Sequence, residues 1–295
     1  MPLYIEPNAG PAPILQVIQS ARHEISAGVY YLSDRPILNA MKAAHARGVD
    51  VRIIIEGRPY GMKSWQVRKE ERAIAATGAT LHLAPYRFES RGNHYAFQHS
   101  KYICNGHECE IGTANFDWSA FHKNREYLYV TQNTQVVDAA NAVFNADWHN
   151  QHAPAVAHRV LVLSPGTSAA QIIGVIDQPG PVDIESEELG PYAPTLDAIA
   201  AKGARARVIL PASINANGKR DVAFLRSHSV QVRLMPKSPL YMHTKMIVGG
   251  SEAFVGSENF SQTSMEANRE MGLLLGGRDI EDLQAQFDRD WNRAN

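Results

Sequence analysis

Two short runs of polar residues recur along this chain of 295 residues, in the same order and at one spacing. Each run begins with His-x-Lys, at residues 99–101 and 243–245. Over residues 99–126, 11 of 28 positions are identical to the residues 144 places later. The chain is therefore two copies of one unit. Because the polar groups are kept while the apolar ones drift, we expect the two halves to build one reaction centre.

These residue types suit the cleavage of a phosphodiester. That reaction needs a nucleophile, a proton for the departing oxygen and positive charge around the phosphoryl oxygens. His99 and His243 can fill the first two roles near neutral pH. One imidazole would attack in line and form a phosphohistidine, and the other would protonate the leaving alcohol. The second ring would then deprotonate the water or alcohol that releases the intermediate.

The other repeated groups have complementary tasks. Lysines supply fixed positive charge, and asparagine amides donate to the same oxygens, each worth about 3 kcal/mol in the transition state. Two ammonium groups and two amides make a divalent metal unnecessary, so the sequence predicts an enzyme without metal or cofactor. A glutamate in each copy can accept a hydrogen bond from a histidine ring and fix its tautomer. The candidate catalytic residues are His99, Lys101, Asn115, Glu126, His243, Lys245, Asn259 and Glu270, with Thr113 and Ser257 as hydroxyl donors to substrate.

These motifs resemble the phospholipase D superfamily, whose signature is His-x-Lys, four residues, Asp, and a later Gly-Ser/Thr-x-Asn. The resemblance covers most of the chain, because each copy continues as Gly-Thr/Ser-x-Asn-Phe, at residues 112–116 and 256–260. The motif aspartate is missing from both copies, and each stretch from lysine to glycine is one residue short, which predicts a tightened hairpin turn. The residues alone leave the two histidine roles open. The resemblance implies that His99 is the nucleophile and His243 the acid and base.

The resemblance implies an enzyme that hydrolyses or transfers a phosphatidyl group. Its substrate would be a phospholipid or another phosphodiester, and the protein would be a monomer that touches a membrane surface peripherally. A nuclease or nucleotide phosphodiesterase using the same chemistry is the alternative. It is less favoured because the net charge of −1 argues against a broadly basic surface. Loss of both motif aspartates also leaves room for a catalytically inactive binding module.

The segments around the motifs predict an α/β fold. Strands alternate with helices of about ten residues, which favours a mostly parallel sheet covered on both faces. We expect two similar phospholipase D-like lobes, residues 1–154 and 159–295, each a mostly parallel mixed sheet flanked by helices. A pseudo-twofold axis would relate them, with the active site between. Predicted strands are residues 3–5, 25–32, 51–55, 126–131, 160–163, 182–185, 207–210 and 270–275, and predicted helices are residues 13–23, 36–47, 168–176 and 194–202.

The halves differ most just before their motifs, where the first carries about eleven extra residues between positions 57 and 97. Arginine and aromatic side chains there suit a loop that covers substrate, or else they pack on the lobe. In the second half, Glu185 and Glu187 fall on one face of a predicted strand, where we place Ala27 and Val29 of the first copy. These acidic groups either reach the pocket to bind a cationic headgroup or pair with arginine or backbone.

The two cysteines, Cys104 and Cys109, flank a turn sequence. They are either small buried residues or a cross-strand disulfide; metal binding with His107 fits no common zinc pattern. No run approaches 18 apolar residues, and the first residues are no signal peptide. The sequence therefore predicts a soluble protein, either cytoplasmic or exported with its signal peptide already removed.

Overall fold

The computed structural model describes residues 2–295 and contains two seven-stranded sheets with matching strand order. The strands of the first half are β1 (Leu3–Ile5), β2 (Glu24–Val29), β3 (Asp50–Ile55), β4 (Thr80–Leu83), β5 (Lys101–Cys104), β6 (Cys109–Gly112), β7 (Asn124–Arg125) and β8 (Tyr127–Thr131). Those of the second half are β9 (Val162–Ser164), β10 (Val182–Ser186), β11 (Ala206–Pro211), β12 (Gln231–Met235), β13 (Tyr241–Met242), β14 (Lys245–Val248), β15 (Ala253–Gly256) and β16 (Glu270–Leu275).

Helices pack against both sheets, on their outer faces and toward the apolar core that the two lobes share. In the first half they are α1 (Ala12–Ser20), α2 (Arg35–Ala46), α3 (Ser64–Ala75), α4 (Trp118–His122) and α5 (Thr134–Trp148). In the second half they are α6 (Ala157–Val160), α7 (Ser168–Asp177), α8 (Ala193–Lys202), α9 (Ala216–Ser227), α10 (Gln262–Glu266) and α11 (Arg278–Trp291). No helix within residues 2–295 is both long and apolar enough to cross a bilayer.

The two sheets run β1-β8-β6-β5-β2-β3-β4 and β9-β16-β15-β14-β10-β11-β12, so each strand has a counterpart at the same place. The predicted α/β fold of two similar lobes is confirmed. Strands β2, β3 and β4 pair in parallel, as do β10, β11 and β12. The other pairings within these two sheets are antiparallel, including those of the motif hairpins β5–β6 and β14–β15. The parallel part is thus smaller than the alternation of strands and helices predicts.

Local signals explain most element boundaries. Helix α2 begins where the Asp34 side chain accepts a hydrogen bond from Ile37 N, and it ends before Gly48, whose φ of 89° suits glycine. The predicted bounds of α2, α7, β1 and β16 are met within one residue. Three predictions extend too far. Helix α1 ends at Ser20 and not at residue 23. Strand β2 ends at Val29, and Val160 closes α6, so β9 begins only at Val162.

The lobes are joined by a shared apolar core. Ile111 and Phe144 of the first half belong to one buried cluster with Met246 and Phe287 of the second. Each lobe also has a buried apolar cluster of its own, between its sheet and its outer helices. Apolar burial is the main source of stability in folds of this kind, so the two halves form one packed body.

Both motif hairpins have four-residue loops, as the short spacing predicts. Asn105 N donates to Glu108 O at 3.0 Å in the first loop, and Gly249 N donates to Glu252 O at 2.9 Å in the second. Only the first hairpin carries cysteines, and Cys104 and Cys109 are joined there as a disulfide. Of the two alternatives for these residues, the structure has the disulfide.

Candidate active site

Both repeated histidines line one pocket of about 830 Å³ between the two lobes. Their side chains are 12% and 11% exposed, for His99 and His243 respectively. Each is positioned by backbone from the opposite lobe. His99 N donates to Arg269 O at 2.9 Å, and β13, just before His243, pairs in parallel with β7.

Each imidazole faces a glutamate of the other half. His99 Nδ1 lies 2.9 Å from Glu270 Oε2, and His243 Nδ1 lies 2.6 Å from Glu126 Oε1. Burial lowers the pKa of His99, and Glu270 only partly opposes this shift. Burial alone would raise the pKa of Glu270, but His99 and Lys101 lower it overall. The pair therefore consists of a neutral ring and an ionised carboxylate that holds the ring proton on Nδ1, leaving Nε2 as the free nitrogen.

The glutamates are themselves held by buried donors. Glu126 accepts from Thr113 Oγ1 at 2.6 Å and from Asn124 Nδ2 at 3.1 Å. Glu270 accepts from Ser264 Oγ at 2.6 Å and from Asn268 Nδ2 at 2.9 Å. The asparagine of each Asn-Arg-Glu triplet thus orients the glutamate two residues later.

Thr113 and Ser257 are placed differently from the expectation that they contact substrate. Both are fully buried and neither lines the pocket. Thr113 Oγ1 accepts from Tyr127 N at 2.9 Å, and Ser257 Oγ accepts from Met271 N at 3.0 Å. They lie behind the glutamates, where they fix strand geometry, and we now propose a positioning role for both.

The lysines and asparagines approach the same space. Lys245 Nζ donates to His243 O at 2.6 Å, and Lys101 makes the matching bond to His99 O. Burial, with Lys245 nearby, lowers the pKa of Lys101 to about 7. A bound phosphodiester would favour the charged form again. Asn115 and Asn259 line the pocket beside the rings.

The arginine of each triplet makes an ion pair across the lobe boundary. Arg125 Nε lies 2.6 Å from Asp290 Oδ2 in α11, and Arg269 Nε lies 2.8 Å from Asp147 Oδ2 in α5. All four side chains are buried. The two aspartates belong to the Phe-x-x-Asp-Trp sequences that end α5 and α11. Their ion pairs with the arginines explain why the aspartate occurs in both copies, which the sequence alone does not.

One pair of equivalent positions breaks the symmetry of the pocket. Val29 pairs with Lys101 in the first sheet, and Ser186 pairs with Lys245 in the second. The residues that follow, Tyr30 and Glu187, are therefore equivalent, and the placement of Glu187 opposite Val29 is wrong by one residue.

Tyr30 and Glu187 both line the pocket but make different contacts. Glu187 Oε2 lies 2.8 Å from Lys245 Nζ and 3.3 Å from His243 Nε2. Burial would raise the pKa of Glu187, but His243 and Lys245 hold it near 2. The Tyr30 ring instead packs edge-on against His99, with ring centroids 4.9 Å apart.

Glu185, the other acidic residue of this strand, points elsewhere. It is fully buried, and Tyr127 Oη donates to its Oε2 at 2.9 Å. Of the two acidic residues singled out in the sequence, Glu187 reaches the pocket and Glu185 does not.

The extra residues of the first half divide between the two roles considered for them. Tyr60, Tyr95 and Phe97 line the pocket. Arg87 instead pairs with Asp147, and Phe88 is buried beneath Arg269. The insertion therefore supplies both an aromatic pocket wall and lobe packing.

Comparison with known proteins identifies relatives of this chain. The family model "Cardiolipin synthase, PLD-like domain" matches residues 14–148 and 191–291. A cardiolipin synthase of Alkalihalophilus pseudofirmus is 34% identical over 147 residues, which cover 46% of this chain and 26% of that protein. The chain thus spans about a quarter of the length of the curated relatives it matches.

Two solved structures share the fold across nearly the whole chain. A phosphatidylserine synthase of Haemophilus influenzae superposes with a TM-score of 0.67 at 12% identity, covering 99% of this chain and 86% of that one. A polyphosphate kinase of Porphyromonas gingivalis gives 0.70 at 14% identity, covering 97% and 49%. At these identities the likeness concerns the fold alone.

Proposed function

The chain belongs to the family of cardiolipin synthase, phospholipase D-like domains, within the phospholipase D superfamily, and we propose that it transfers or hydrolyses a phosphatidyl group. The observation that carries this proposal is the pair of histidine rings lining one pocket, each backed by a glutamate of the other lobe. Such a pair can attack a phosphorus atom from one side and protonate the leaving oxygen on the other.

The identity of the transferred group comes from the relatives. Cardiolipin carries two phosphatidyl groups on one glycerol, so forming it requires moving a phosphatidyl group onto a glycerol hydroxyl. The similarity to cardiolipin synthases supports this group as the one transferred. The aromatic wall of Tyr60, Tyr95 and Phe97 suits the apolar part of such a substrate.

In the first step, His99 Nε2 forms a bond to phosphorus, and the P–O bond to the leaving alcohol breaks. His243 Nε2 gives its proton to that oxygen. In the second step, an acceptor alcohol or water gives its proton to His243 while its oxygen bonds to phosphorus, and the N–P bond breaks. Covalent catalysis of this kind divides one displacement into two easier ones.

The remaining residues act on charge and orientation. Lys101, Lys245, Asn115 and Asn259 would surround the non-bridging oxygens as they gain negative charge. Glu126 and Glu270 keep the proton of each ring on Nδ1. We propose that these groups suffice without a metal ion.

The test is product analysis with purified protein and phosphatidylglycerol vesicles in excess chelator. We expect cardiolipin with release of glycerol if an alcohol is the acceptor, or phosphatidic acid if water is. His99→Ala and His243→Ala should each lower the rate by roughly 10³-fold or more, as loss of a nucleophile or its partner does.

Three outcomes would change the proposal. Cleavage of single-stranded DNA in chelator, with no lipid product, would favour the nuclease alternative. Unchanged lipid turnover in His99→Ala would remove the site from the reaction. Activity that disappears in chelator and returns with Mg²⁺ would overturn metal independence alone.

A further inference from the structure

The two catalytic halves have the same scaffold but different surroundings at one position. Tyr30 and Glu187 are equivalent by strand register, one residue beyond the strand partners of Lys101 and Lys245. The histidines, lysines, asparagines and glutamates assigned to catalysis keep their type in both halves, whereas Ala114 corresponds to Glu258 and Asp117 to Ser261. Among the unequal positions, Tyr30 and Glu187 contact the two histidine rings directly, so we look to this pair for the difference in chemistry between the histidines.

His243 lies between two carboxylates. Glu126 Oε1 is 2.6 Å from its Nδ1, and Glu187 Oε2 is 3.3 Å from its Nε2. The negative charge of each carboxylate favours the form of the ring that carries a proton on the nitrogen facing it, Nε2 included. In that state Nε2 has no lone pair with which to attack phosphorus.

His99 has one carboxylate and one aromatic neighbour. Glu270 takes its Nδ1 proton, and the ring of Tyr30 packs against the side of the imidazole. The same tyrosine ring lies 5.5 Å from Lys101 Nζ, the place that a carboxylate occupies beside Lys245. Nε2 of His99 therefore keeps its lone pair toward the pocket.

We infer that Glu187 is a positioning residue that keeps His243 loaded with a proton as the acid, and that the contrast between Glu187 and Tyr30 makes His99 the nucleophile. This inference rests on the proposed function. After the leaving group has taken the proton, the Glu187 carboxylate also favours return of a proton to Nε2 from the acceptor hydroxyl. Glu187 thus supports both steps through His243 without bonding to phosphorus.

The carboxylate also occupies the place of a phosphate oxygen, since it bridges Lys245 Nζ and His243 Nε2. A bound substrate must draw these two groups toward its own oxygens. The proton on His243 Nε2 then passes to the leaving oxygen, as in the first step proposed above.

The location of the covalent adduct tests the inference. Wild-type protein, mixed with phosphatidylglycerol in detergent micelles and quenched in base, should carry its phosphatidyl adduct on His99, as read by peptide mass spectrometry. In Glu187→Gln the share found on His243 should rise roughly tenfold or more, the size expected for loss of one opposite charge close to the ring. Glu187→Asp should restore much of the preference for His99.

Two further variants separate charge from folding. Glu188→Gln removes the same charge from the next residue, which lines the pocket without contacting His243, and should leave the adduct on His99. The exchange of both residues, Tyr30→Glu with Glu187→Tyr, should move the adduct to His243.

The possible failures are distinguishable. An adduct on His243 in the wild type, or one that stays wholly on His99 in both Glu187→Gln and the exchanged variant, overturns the inference and leaves the proposed function standing. If the exchanged variant fails to fold, Glu187→Gln and Glu187→Asp decide alone. No adduct on either histidine during measurable turnover would instead contradict the phosphohistidine mechanism.

Discussion

At the scale of single residues, each member of the Asn-Arg-Glu triplet has a separate partner. Asn268 orients Glu270, Glu270 holds His99, and Arg269 pairs with Asp147. The first-half triplet makes the equivalent contacts with Glu126, His243 and Asp290. The arginine and glutamate of each triplet are buried, and through these contacts the triplets link the two lobes.

A second residue-scale feature is a buried glutamate in each half that has no acidic counterpart in the other half. Glu110 stands where the second half has Phe254, and Glu258 stands where the first half has Ala114. Neither Glu110 oxygen has a hydrogen-bond partner among residues 2–295. Burial, and secondarily Glu6, raises the pKa of Glu110 well above its usual value.

This carboxyl should make stability depend on pH. The folded state keeps the Glu110 proton that the unfolded chain releases above about pH 4.5, so stability falls as the pH rises beyond that value. Glu110→Gln cannot ionise. Its stability relative to wild type should therefore improve between pH 5 and pH 8, by about 1 kcal/mol or more. Urea unfolding of both proteins at four pH values measures this difference, and a constant difference would contradict it.

At the scale of elements, the two motif hairpins offer a matched comparison. Both have four-residue loops, but β5 and β6 are joined by the Cys104–Cys109 disulfide, and β14 and β15 carry Val248 and Ala253 at the same places. The side chains of all four residues are buried. The second hairpin therefore reports how this element packs without the covalent link.

Replacing the cysteines by the second-half residues, Cys104→Val with Cys109→Ala, removes the cross-link and keeps apolar residues at both places. The loop closed by the bond is short, so we expect a loss of about 2 kcal/mol of stability. The melting temperature of the variant, compared with wild type with and without a reducing agent, measures it. A variant that melts at the same temperature as oxidised wild type would show that the bond contributes no stability.

At the scale of the whole molecule, we propose that the lobes divide at residues 1–154 and 159–295, so that the boundary falls at the start of α6. The helix and strand pattern predicts each lobe because apolar periodicity and glycine stops act locally. The repeat also identifies the histidines, lysines and glutamates. It cannot say which glutamate faces which histidine, since a duplicated motif allows pairing within a copy or between copies.

Glu187 and Tyr30 illustrate what a sequence repeat leaves hidden. These residues share no chemistry, so their equivalence appears only through the register of β2 on β5 and of β10 on β14. Register depends on hydrogen bonds between distant segments, and an error of one residue moves a side chain to the other face of a sheet. The sequence repeat therefore does not reveal that Glu187 and Tyr30 occupy equivalent positions.

Pairing across the lobes has a kinetic consequence that pairing within a lobe would reverse. Glu270 lies in the second lobe but should act with the nucleophile His99, and Glu126 should act with the acid His243. A p-nitrophenolate leaving group needs no acid, whereas the alkoxide of an ordinary lipid does. Glu270→Gln should therefore slow the first turnover of bis(p-nitrophenyl) phosphate and of phosphatidylglycerol alike, by roughly 10² to 10³. Glu126→Gln should slow turnover of the lipid by a similar factor and leave turnover of the p-nitrophenyl ester unchanged.

Rapid-mixing measurement of the first turnover separates the two variants. The opposite pattern would mean that each glutamate serves the histidine of its own copy, which the cross-lobe distances of 2.9 and 2.6 Å do not allow without the lobes moving apart.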